Sequence, residues 1–283
     1  MPGADDQPYS SRPGDGTSPT PRPCLPTDLQ ALIDDAQRRE QTENEVWDTW
    51  AEPYDNSFLG KGVPDAAVSR LTELATDGRA LELGIGTGRL AIPLARAGIA
   101  VDGIELSASM AKQLKEKSTG LPITVTVGNM ADYHDTGHTY SLIYAAYSVL
   151  HLLQSQAEQL RCLQNVARAL QPGGTFVVEA THPQVFAGLL RGKNLKIRDL
   201  TDDVLSVSAT VVDTAQQTVK FQEISIRDGE IRMMPCHVRW IWPAELDLMA
   251  ALATLSLESR AEDWFGSALT PSSTQHVSLY RKA

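Results

Sequence analysis

A glycine-rich stretch in the first third of the chain limits its fold more than any other feature. Arg79–Gly88 reads Arg-Ala-Leu-Glu-Leu-Gly-Ile-Gly-Thr-Gly, an apolar run that holds one acid and ends in three alternating glycines. A helical pattern begins at Arg89. Glycine lets the backbone turn sharply and lets a ligand approach the main chain closely. A strand that ends in such a turn and leads into a helix predicts a ligand cradle in an α/β fold.

The spacing of the glycines excludes two common nucleotide-binding loops. The dinucleotide fingerprint G-x-G-x-x-G needs its third glycine where this chain has Arg89. A phosphate-binding P-loop needs Gly-Lys-Ser/Thr, and no such triplet follows. The carboxylate of Glu82 would oppose a pyrophosphate but suits a ligand with a cationic amino end. One helix later Val101–Glu105 ends in a second acid, which can accept both hydroxyls of a ribose. These residues predict a nucleoside with a positively charged appendage.

Two segments carry a family resemblance. Glu-Leu-Gly-Ile-Gly-Thr-Gly from Glu82 resembles the E/D-x-G-x-G-x-G motif of class I S-adenosylmethionine-dependent methyltransferases, and Gly-Ile-Glu-Leu-Ser-Ala-Ser-Met from Gly103 resembles their second motif. The similarity extends from about Trp47 to the C-terminus and is to the small-molecule, natural-product subgroup. It implies S-adenosylmethionine as cofactor and S-adenosylhomocysteine as product. It also implies an α/β fold with a doubly wound, seven-stranded, mostly parallel sheet in the order 3-2-1-4-5-7-6.

The resemblance assigns cofactor contacts to residues near the predicted carboxyl ends of the strands. Asn129 stands where the family often has an aspartate that accepts the adenine amino group, and its amide oxygen can accept the same bond. Tyr54 matches the aromatic residue of a W-x-x-x-A-x-x-Y-D segment, in which Pro53 predicts that the helix ends before it. Trp47 and Trp50 fit either a cofactor lid or packing on the sheet. The complete cofactor set is Tyr54, Glu82, Gly84, Gly86, Gly88, Glu105, Leu106, Met110, Asn129, Met130 and Ala146.

The chain divides into a leader, an N-terminal cap and a methyltransferase-like domain. Residues 1–26 are rich in Pro, Gly, Ser and Thr without an apolar segment, which predicts a disordered leader, not a signal peptide. A capping box at Thr27–Gln30 begins a helix, and residues 27–75 form a predicted helical lid. Residues 76–283 form the domain that resembles the family.

Three successive strand patterns interrupt the strand-helix alternation of this domain. They cover Val204–Val212, Val219–Ile226 and Ile231–Ile241, and the last two are joined by an Asp228-Gly229 turn. Strands without intervening helices pair antiparallel. We therefore predict an antiparallel insertion over residues 203–242 that covers the acceptor site.

Methyl transfer from a sulfonium is an in-line displacement, so alignment of donor and nucleophile at about 3 Å supplies roughly 7 to 11 kcal/mol of the barrier. A hydroxyl nucleophile also needs a general base, for which histidine is best tuned near neutral pH. His151 after the fourth strand and His182 after the fifth are the candidate catalytic residues, with a structural hydrogen bond as the alternative. Spacing supports no metal-ligand cluster. The predicted substrate-binding set is Trp47, Tyr147, His151, His182, His237 and Arg239.

Net charge limits the classes of binding partner, and cysteine content indicates the cellular compartment. A net charge of -10 argues against nucleic acid, and no apolar run reaches the length of a membrane span. We therefore predict a small-molecule acceptor, no nucleic acid and no membrane. Three widely separated cysteines, at positions 24, 162 and 236, are typical of a reducing compartment and predict a cytoplasmic protein. The insertion or the N-terminal helices could support a homo-oligomer.

Three other functions remain open from the sequence. One is a non-catalytic protein that binds S-adenosylmethionine or acts as a scaffold. The others are enzymes of the same fold, namely an NAD-dependent oxidoreductase and an aminopropyl transferase. For a methyltransferase, the residues leave open whether oxygen, nitrogen or carbon is methylated.

Overall fold

The computed structural model describes residues 45–55, 65–76, 78–133, 137–189, 193–227 and 229–283. All of them belong to one compact unit, residues 41–283. The predicted leader over 1–26, the capping box at Thr27–Gln30 and Asp228 of the predicted turn lie outside the described residues.

The first part of the unit alternates helices and strands. Two serines cap helices, because Ser107 Oγ accepts from Met110 N at 3.1 Å and Ser155 Oγ accepts from Glu158 N at 3.2 Å. No described helix is both long and apolar enough to cross a membrane. The helices are α1 over 45–54, α2 Asp65–Ala75, α3 Ala91–Arg96, α4 Ala108–Lys117 and α5 Gln156–Ala169, and the strands are β1 Ala80–Leu83, β2 Val101–Glu105, β3 Ile123–Val127, β4 Tyr140–Ala145 and β5 Leu170–Thr181.

Helix α1 differs from its prediction at the C-terminal end. It continues through Pro53 to residue 54, whereas the proline predicted an earlier end. The proline lacks an N–H and so removes one helical hydrogen bond, but only one further residue of the helix depends on it. Trp50 is buried and clusters with Met110 of α4, and Trp47 packs against the same cluster. Helix α1 therefore packs on the α4 side of the domain.

The insertion contains four antiparallel strands, one more than predicted. They are β6 Lys193–Leu200, β7 Val204–Asp213, β8 Thr218–Arg227 and β9 Glu230–Arg239, paired in that order. The insertion thus begins about ten residues before the predicted boundary, because β6 pairs with β7. Its outer face exposes apolar side chains. These include Leu195, Ile197, Val211, Ile231 and Met233. Homo-oligomer formation through this face stays a prediction.

The last elements complete the main sheet. Helix α6 spans Pro243–Leu252, β10 spans Leu255–Ala261 and β11 spans Gln275–Lys282. The sheet has the order β10-β11-β5-β4-β1-β2-β3. Strands β1 to β5 pair parallel, and β11 pairs antiparallel with both β5 and β10. Counted within this sheet alone, the order is 3-2-1-4-5-7-6, which confirms the predicted fold.

Helices cover both faces of the sheet. In the central strand β4, Ile143 enters a cluster with side chains of α5 and α6, whereas Leu142 and Tyr144 enter a second cluster with those of α2 and α3. All six residues of β4 are buried, as expected for the middle of a parallel sheet. The polar ends of the strands are therefore the part of the sheet that is free to bind a ligand.

Candidate functional site

A cavity of about 980 Å³ opens at the carboxyl ends of the parallel strands. Side chains of α1 line one part of its wall, the glycine loop and the ends of β1, β2 and β4 line another, and the insertion sheet lines a third. Small-molecule sites commonly have volumes of roughly 300 to 1,000 Å³. The cavity is therefore large enough for a nucleoside-sized ligand together with a second small molecule.

The glycine loop uses backbone conformations that other residues rarely adopt. Gly84, Gly86 and Gly88 have φ angles of +66°, +55° and +91°. A Cβ atom on Gly84 would lie 2.2 Å from Val149 Cγ2, so this glycine permits close packing. A Cβ on Gly86, which lines the cavity, would meet no atom nearer than 4.0 Å. The open space beside Gly86 is where a ligand can approach the main chain.

Glu105 connects the end of β2 to this loop. Its Oε2 accepts from Gly86 N at 2.7 Å and its Oε1 accepts from Ser107 N at 2.9 Å. Burial raises the pKa of Glu105, although these backbone hydrogen bonds act in the opposite direction. Each carboxylate oxygen can accept a second hydrogen bond. The residue both fixes the loop and presents acceptors to the cavity, which fits a ribose diol.

Glu82 places a second carboxyl group in the cavity wall. It is buried in β1, and Tyr144 Oη donates to its Oε2 at 2.9 Å. Burial raises the pKa of Glu82 to about 8, with the nearby Arg89 charge lowering it only in part. The carboxyl group is therefore mostly protonated at pH 7, and a cation beside it would favour the ionised form. This chemistry fits the cationic amino end that the sequence predicts.

A strained turn follows β4 and completes the wall. Tyr147 and Ser148 have φ angles of +54° and +62°, in the left-handed region that costs a non-glycine residue about 1 to 3 kcal/mol. Tyr147 N donates to Glu179 Oε2 at 3.0 Å, and Thr181 N donates to Ser148 Oγ at 2.8 Å. The guanidinium carbon of Arg89 lies 3.3 Å from the centre of the Tyr147 ring. Strand β5 and Arg89 thus hold Tyr147 at the cavity.

Two aspartates attach α1 to the loops that line the cavity. Asp48 Oδ1 accepts from Ser107 Oγ at 2.5 Å and from Ser109 N at 3.0 Å. Asp55 Oδ1 accepts from Thr87 Oγ1 at 2.5 Å, and its Oδ2 pairs with Lys117 Nζ at 2.6 Å. The helix is therefore held at both ends, beside the second acidic motif and beside the glycine loop.

These anchors depend on ionised carboxylates. Burial opposes ionisation of Asp48 and Asp55, but their hydrogen bonds lower both pKa values below the usual range. A carboxyl group with a lowered pKa stabilises the fold above its ordinary pKa and loses that effect as the pH falls through the lowered value. The anchoring of α1 is therefore fully present at neutral pH and is lost in acid, below about pH 4.

We expect the double variant Asp48→Asn with Asp55→Asn to open α1 about tenfold more often at pH 7, since two partly exposed charge-assisted contacts are weakened. Hydrogen–deuterium exchange of the peptide covering residues 45–55, expressed as protection factors, measures the change. Glu52→Gln, an exposed acid on the same helix, is the matched control and should leave protection unchanged. Equal protection in the double variant and the wild type would show that the aspartates do not hold the helix.

Most of the predicted site residues line the cavity. Ten residues of the cofactor set line it. The substrate set contributes four lining residues, namely Trp47, Tyr147, His151 and His237. Asn129 Oδ1 also accepts from Ala131 N at 2.9 Å, which fixes the orientation of its amide. The ten cofactor residues are Tyr54, Glu82, Gly84, Gly86, Glu105, Leu106, Met110, Asn129, Met130 and Ala146.

Three predicted residues lie outside the lining of this cavity. A Cβ on Gly88 would lie 2.4 Å from Leu114 Cδ1, so this glycine supports the loop from behind. His182 packs edge-on against Trp242, with 6.0 Å between the ring centres. Arg239 is buried, donating to Gln159 Oε1 at 2.6 Å and pairing with Glu245 at 2.7 Å. Arg239 therefore joins β9 to α5 and α6.

His151 lines the cavity but has an engaged ring nitrogen. It is buried, and its Nε2 accepts from Ile241 N at 3.4 Å. Burial lowers the pKa of His151 to about 4, helped by the charge of Arg239. The ring is therefore neutral at pH 7, with its proton on Nδ1. His237, by contrast, is exposed at the cavity edge.

Several lining residues were absent from the predicted set. Thr87 lies within the glycine loop and Arg89 directly after it, so their position in or next to the motif was an available signal. Glu179 lies two residues before the end of β5 and accepts from Trp264 Nε1 at 2.8 Å, a contact between residues 85 positions apart that local pattern does not reveal. Among the described residues, no group of three or more His, Cys, Asp or Glu side chains is placed to hold a metal ion.

Comparison with known proteins gives consistent matches. Residues 80–174 match the family described as Methyltransferase domain. The chain is 28% identical over 187 residues to a cypemycin N-terminal methyltransferase from a Streptomyces species, covering 64% of this chain and 74% of that protein. It is 36% identical to the solved structure of the CcbJ methyltransferase from Streptomyces caelestis, with a TM-score of 0.77 over 84% of this chain and 98% of that one. The CalS10 amino pentose methyltransferase of Micromonospora echinaspora, solved with S-adenosylmethionine, shares the fold at 18% identity, with a TM-score of 0.62 over 89% of this chain and 97% of that one.

Proposed function

The chain belongs to the class I S-adenosylmethionine-dependent methyltransferases of the small-molecule, natural-product type, and on that basis we propose that it methylates a small acceptor of secondary metabolism. One observation carries the proposal. A single cavity of about 980 Å³ joins the glycine loop and its two acids to the inner face of the insertion sheet. The loop side has the groups that a nucleoside with a cationic tail requires, and the insertion side leaves room for the acceptor.

Three side chains are proposed to hold S-adenosylmethionine, which supplies an electrophilic methyl group on its sulfonium. Glu105 accepts from the ribose hydroxyls while keeping the glycine loop in place. Glu82 faces the amino end, because a cation there offsets the cost of ionising a buried carboxyl group. Asn129 contacts the adenine amino group through its amide oxygen. Helix α1 and the insertion exclude water from the space between cofactor and acceptor.

We propose an amine nitrogen as the methylated atom. A neutral amine attacks without help from a base, whereas a hydroxyl needs one. His151 has Nε2 engaged by a backbone N–H and a pKa of about 4, which makes it a weak base at pH 7. The cypemycin relative is named for methylation of an N-terminus. Loss of water from the site when the acceptor binds would also favour the neutral amine, because desolvation disfavours a charged ammonium group.

His151 is then a positioning residue on the acceptor side. We expect His151→Asn to lower kcat by about tenfold, well below the roughly 100-fold or larger loss that removal of a general base causes. The pH profile of kcat between pH 6 and 8 should keep its shape, since the wild-type ring stays neutral throughout. Steady-state kinetics with an amine acceptor measures both quantities. A loss above 100-fold together with disappearance of an inflection near neutral pH would instead support the base role.

Two measurements test the proposed function. Native mass spectrometry of the full chain should detect a complex with S-adenosylmethionine or S-adenosylhomocysteine, and a bound nicotinamide dinucleotide would contradict the proposal. Methyl-labelled S-adenosylmethionine is then incubated with paired amines and alcohols of the same carbon skeleton. Label is expected in the amines. Cofactor binding without transfer to any acceptor would favour the non-catalytic alternative, and transfer to the alcohols alone would contradict the nitrogen assignment.

A further inference from the structure

The inner face of the insertion sheet carries three buried polar side chains that the cofactor does not require. Ser208 is 1% exposed, Thr210 is 6% exposed and Glu223 is 7% exposed. All three line the cavity. A polar cluster of this kind is unusual within a cavity wall, because buried polar groups normally have hydrogen-bond partners within the protein.

Strand register places the three side chains together. Ser208 of β7 lies directly opposite Glu223 of β8, and Thr210 is two residues further along the same strand. Alternate residues of a strand point to the same face of a sheet, so both hydroxyls share the face of the carboxylate. On the neighbouring strand β6, Lys196 lies opposite Ser208. The cluster is therefore formed by rigid strands, and its spacing is fixed by backbone pairing.

The two hydroxyls of the cluster are unpaired within the described part of the chain, and its carboxylate has one long ion pair. Neither Ser208 Oγ nor Thr210 Oγ1 has a hydrogen-bond partner there. The carboxylate of Glu223 is 3.9 Å from Arg198 Nε, at the outer limit of an ion pair. Two buried hydroxyls without a partner, which can donate and accept, therefore lie beside a carboxylate in the wall of the cavity, and rotation about the Cα–Cβ bond would turn either hydroxyl toward a ligand.

The charges and flanking residues select among ligand classes. Glu223 lies on the same face as Arg198 and Lys196, so charges of both signs surround the two hydroxyls and an uncharged group meets no net repulsion there. A wholly apolar ligand would leave both hydroxyls unpaired. A neutral ring with several hydroxyl groups satisfies all three side chains at once. Phe221, opposite Thr210 and also lining the cavity, offers a flat apolar surface to the carbon face of such a ring.

We propose that the inner face of the insertion sheet is a binding subsite for an uncharged, hydroxyl-rich, sugar-like ring of the acceptor, recognised by Ser208, Thr210 and Glu223. This inference rests on the proposed methyl transfer to a small acceptor and adds the chemical class of the group that the insertion binds. The three residues determine which acceptor is bound. They are not catalytic, because the methylated nitrogen is expected on the cofactor side of the cavity.

Binding of simple probes to the full chain tests the subsite without knowledge of the true acceptor. The probes are the methyl α-pyranosides of glucose, galactose and mannose, compared with 2-methoxytetrahydropyran, which has the same ring without the hydroxyls. Dissociation constants are measured by ligand-observed NMR titration of the chain saturated with S-adenosylhomocysteine. At least one glycoside is expected to bind about tenfold more tightly than the tetrahydropyran, since its hydroxyls donate to Glu223 and add acceptors, whereas the tetrahydropyran has two ether acceptors and no donor.

Three single variants test whether the cluster causes the preference for glycosides. Ser208→Ala, Thr210→Val and Glu223→Gln should each lower the ratio of the two dissociation constants by about threefold or more, and the triple variant should bring it near one. Ser225→Ala, on β8 but away from the cavity wall, is the matched control and should keep the wild-type ratio. Calorimetry with S-adenosylhomocysteine should give the same affinity in every variant, which verifies that each one is folded.

The possible failures can be told apart. Equal binding of glycosides and tetrahydropyran by the wild type would overturn the subsite, and so would a wild-type ratio in the triple variant. Either result, with S-adenosylhomocysteine still bound, leaves the proposed function standing. Failure of the wild type to bind S-adenosylhomocysteine would overturn the proposed function and the subsite together.

Discussion

Replacement of Glu105 by alanine is expected to weaken binding of S-adenosylmethionine by about 100-fold. Two charge-assisted hydrogen bonds to the ribose, each contributing about 1.5 kcal/mol, would be lost. The variant also leaves Gly86 N and Ser107 N without the carboxylate oxygens that accept from them. The glycine loop then loses the contact that ties it to β2. The effect is therefore expected in the affinity and also in the order of the loop.

Isothermal titration calorimetry of the Glu105→Ala variant measures this loss. Glu105→Gln keeps one oxygen acceptor and replaces the other by an amide nitrogen, which faces an N–H donor, so an intermediate affinity is expected. Glu116→Ala removes an exposed acid of α4 and serves as the control for a general change in charge. An unchanged affinity in the alanine variant would remove Glu105 from the cofactor site.

Replacement of Glu82 by glutamine is expected to stabilise the ligand-free protein in a pH-dependent manner. The pKa of Glu82 is raised from an ordinary 4.5 to about 8 by burial. The folded state therefore holds this proton more tightly than the unfolded state does. Stability from the protonated group is complete below pH 4.5, decreases as the pH rises, and is lost by about pH 8. Glutamine cannot ionise, so the variant avoids this decrease, and its amide oxygen can still accept from Tyr144 Oη.

The difference between Glu82→Gln and the wild type should therefore be small at pH 5 and on the order of 3 kcal/mol at pH 7 in the free energy of unfolding. Urea denaturation at both pH values measures it. The exposed Glu73→Gln on α2 is the control, for which no such pH dependence is expected. If the free energies of unfolding of Glu82→Gln and the wild type changed with pH in parallel, ionisation of the buried Glu82 would not destabilise the fold, and the prediction would be wrong. The same variant should bind S-adenosylmethionine more weakly, because it lacks a charge for the amino end.

The parts of the site that lie on short motifs were predictable from the sequence. A segment of 24 residues holds Glu82, the glycines and Glu105. The spacing within it predicted a strand, a turn and a second strand that ends in an acid. The strand order came from family resemblance, because periodicity identifies strands but not their neighbours. The structure confirms that order.

Contacts between distant residues explain what the sequence could not predict. Arg239 pairs with Glu245 and Gln159, the second of which is 80 positions away, so its burial was invisible in the local alternation of β9. Strand β6 was missed because Lys193–Leu200 exposes nearly all of its residues and is defined by its pairing with β7. The unpaired hydroxyls of Ser208 and Thr210 become evident only when three strands are assembled.

The left-handed turn at Tyr147 and Ser148 lowers the thermal stability of the fold but keeps an aromatic ring in the cavity wall, where it affects which acceptors fit. Glycine at either position would relieve backbone strain, and a selection for heat resistance alone would favour it. Such a change at Tyr147 would also delete the ring beneath Arg89 and leave the cavity wider at that point. Laboratory evolution of this enzyme toward higher temperature should therefore retain an aromatic residue at position 147 and seek its gains elsewhere, or it will trade acceptor discrimination for stability.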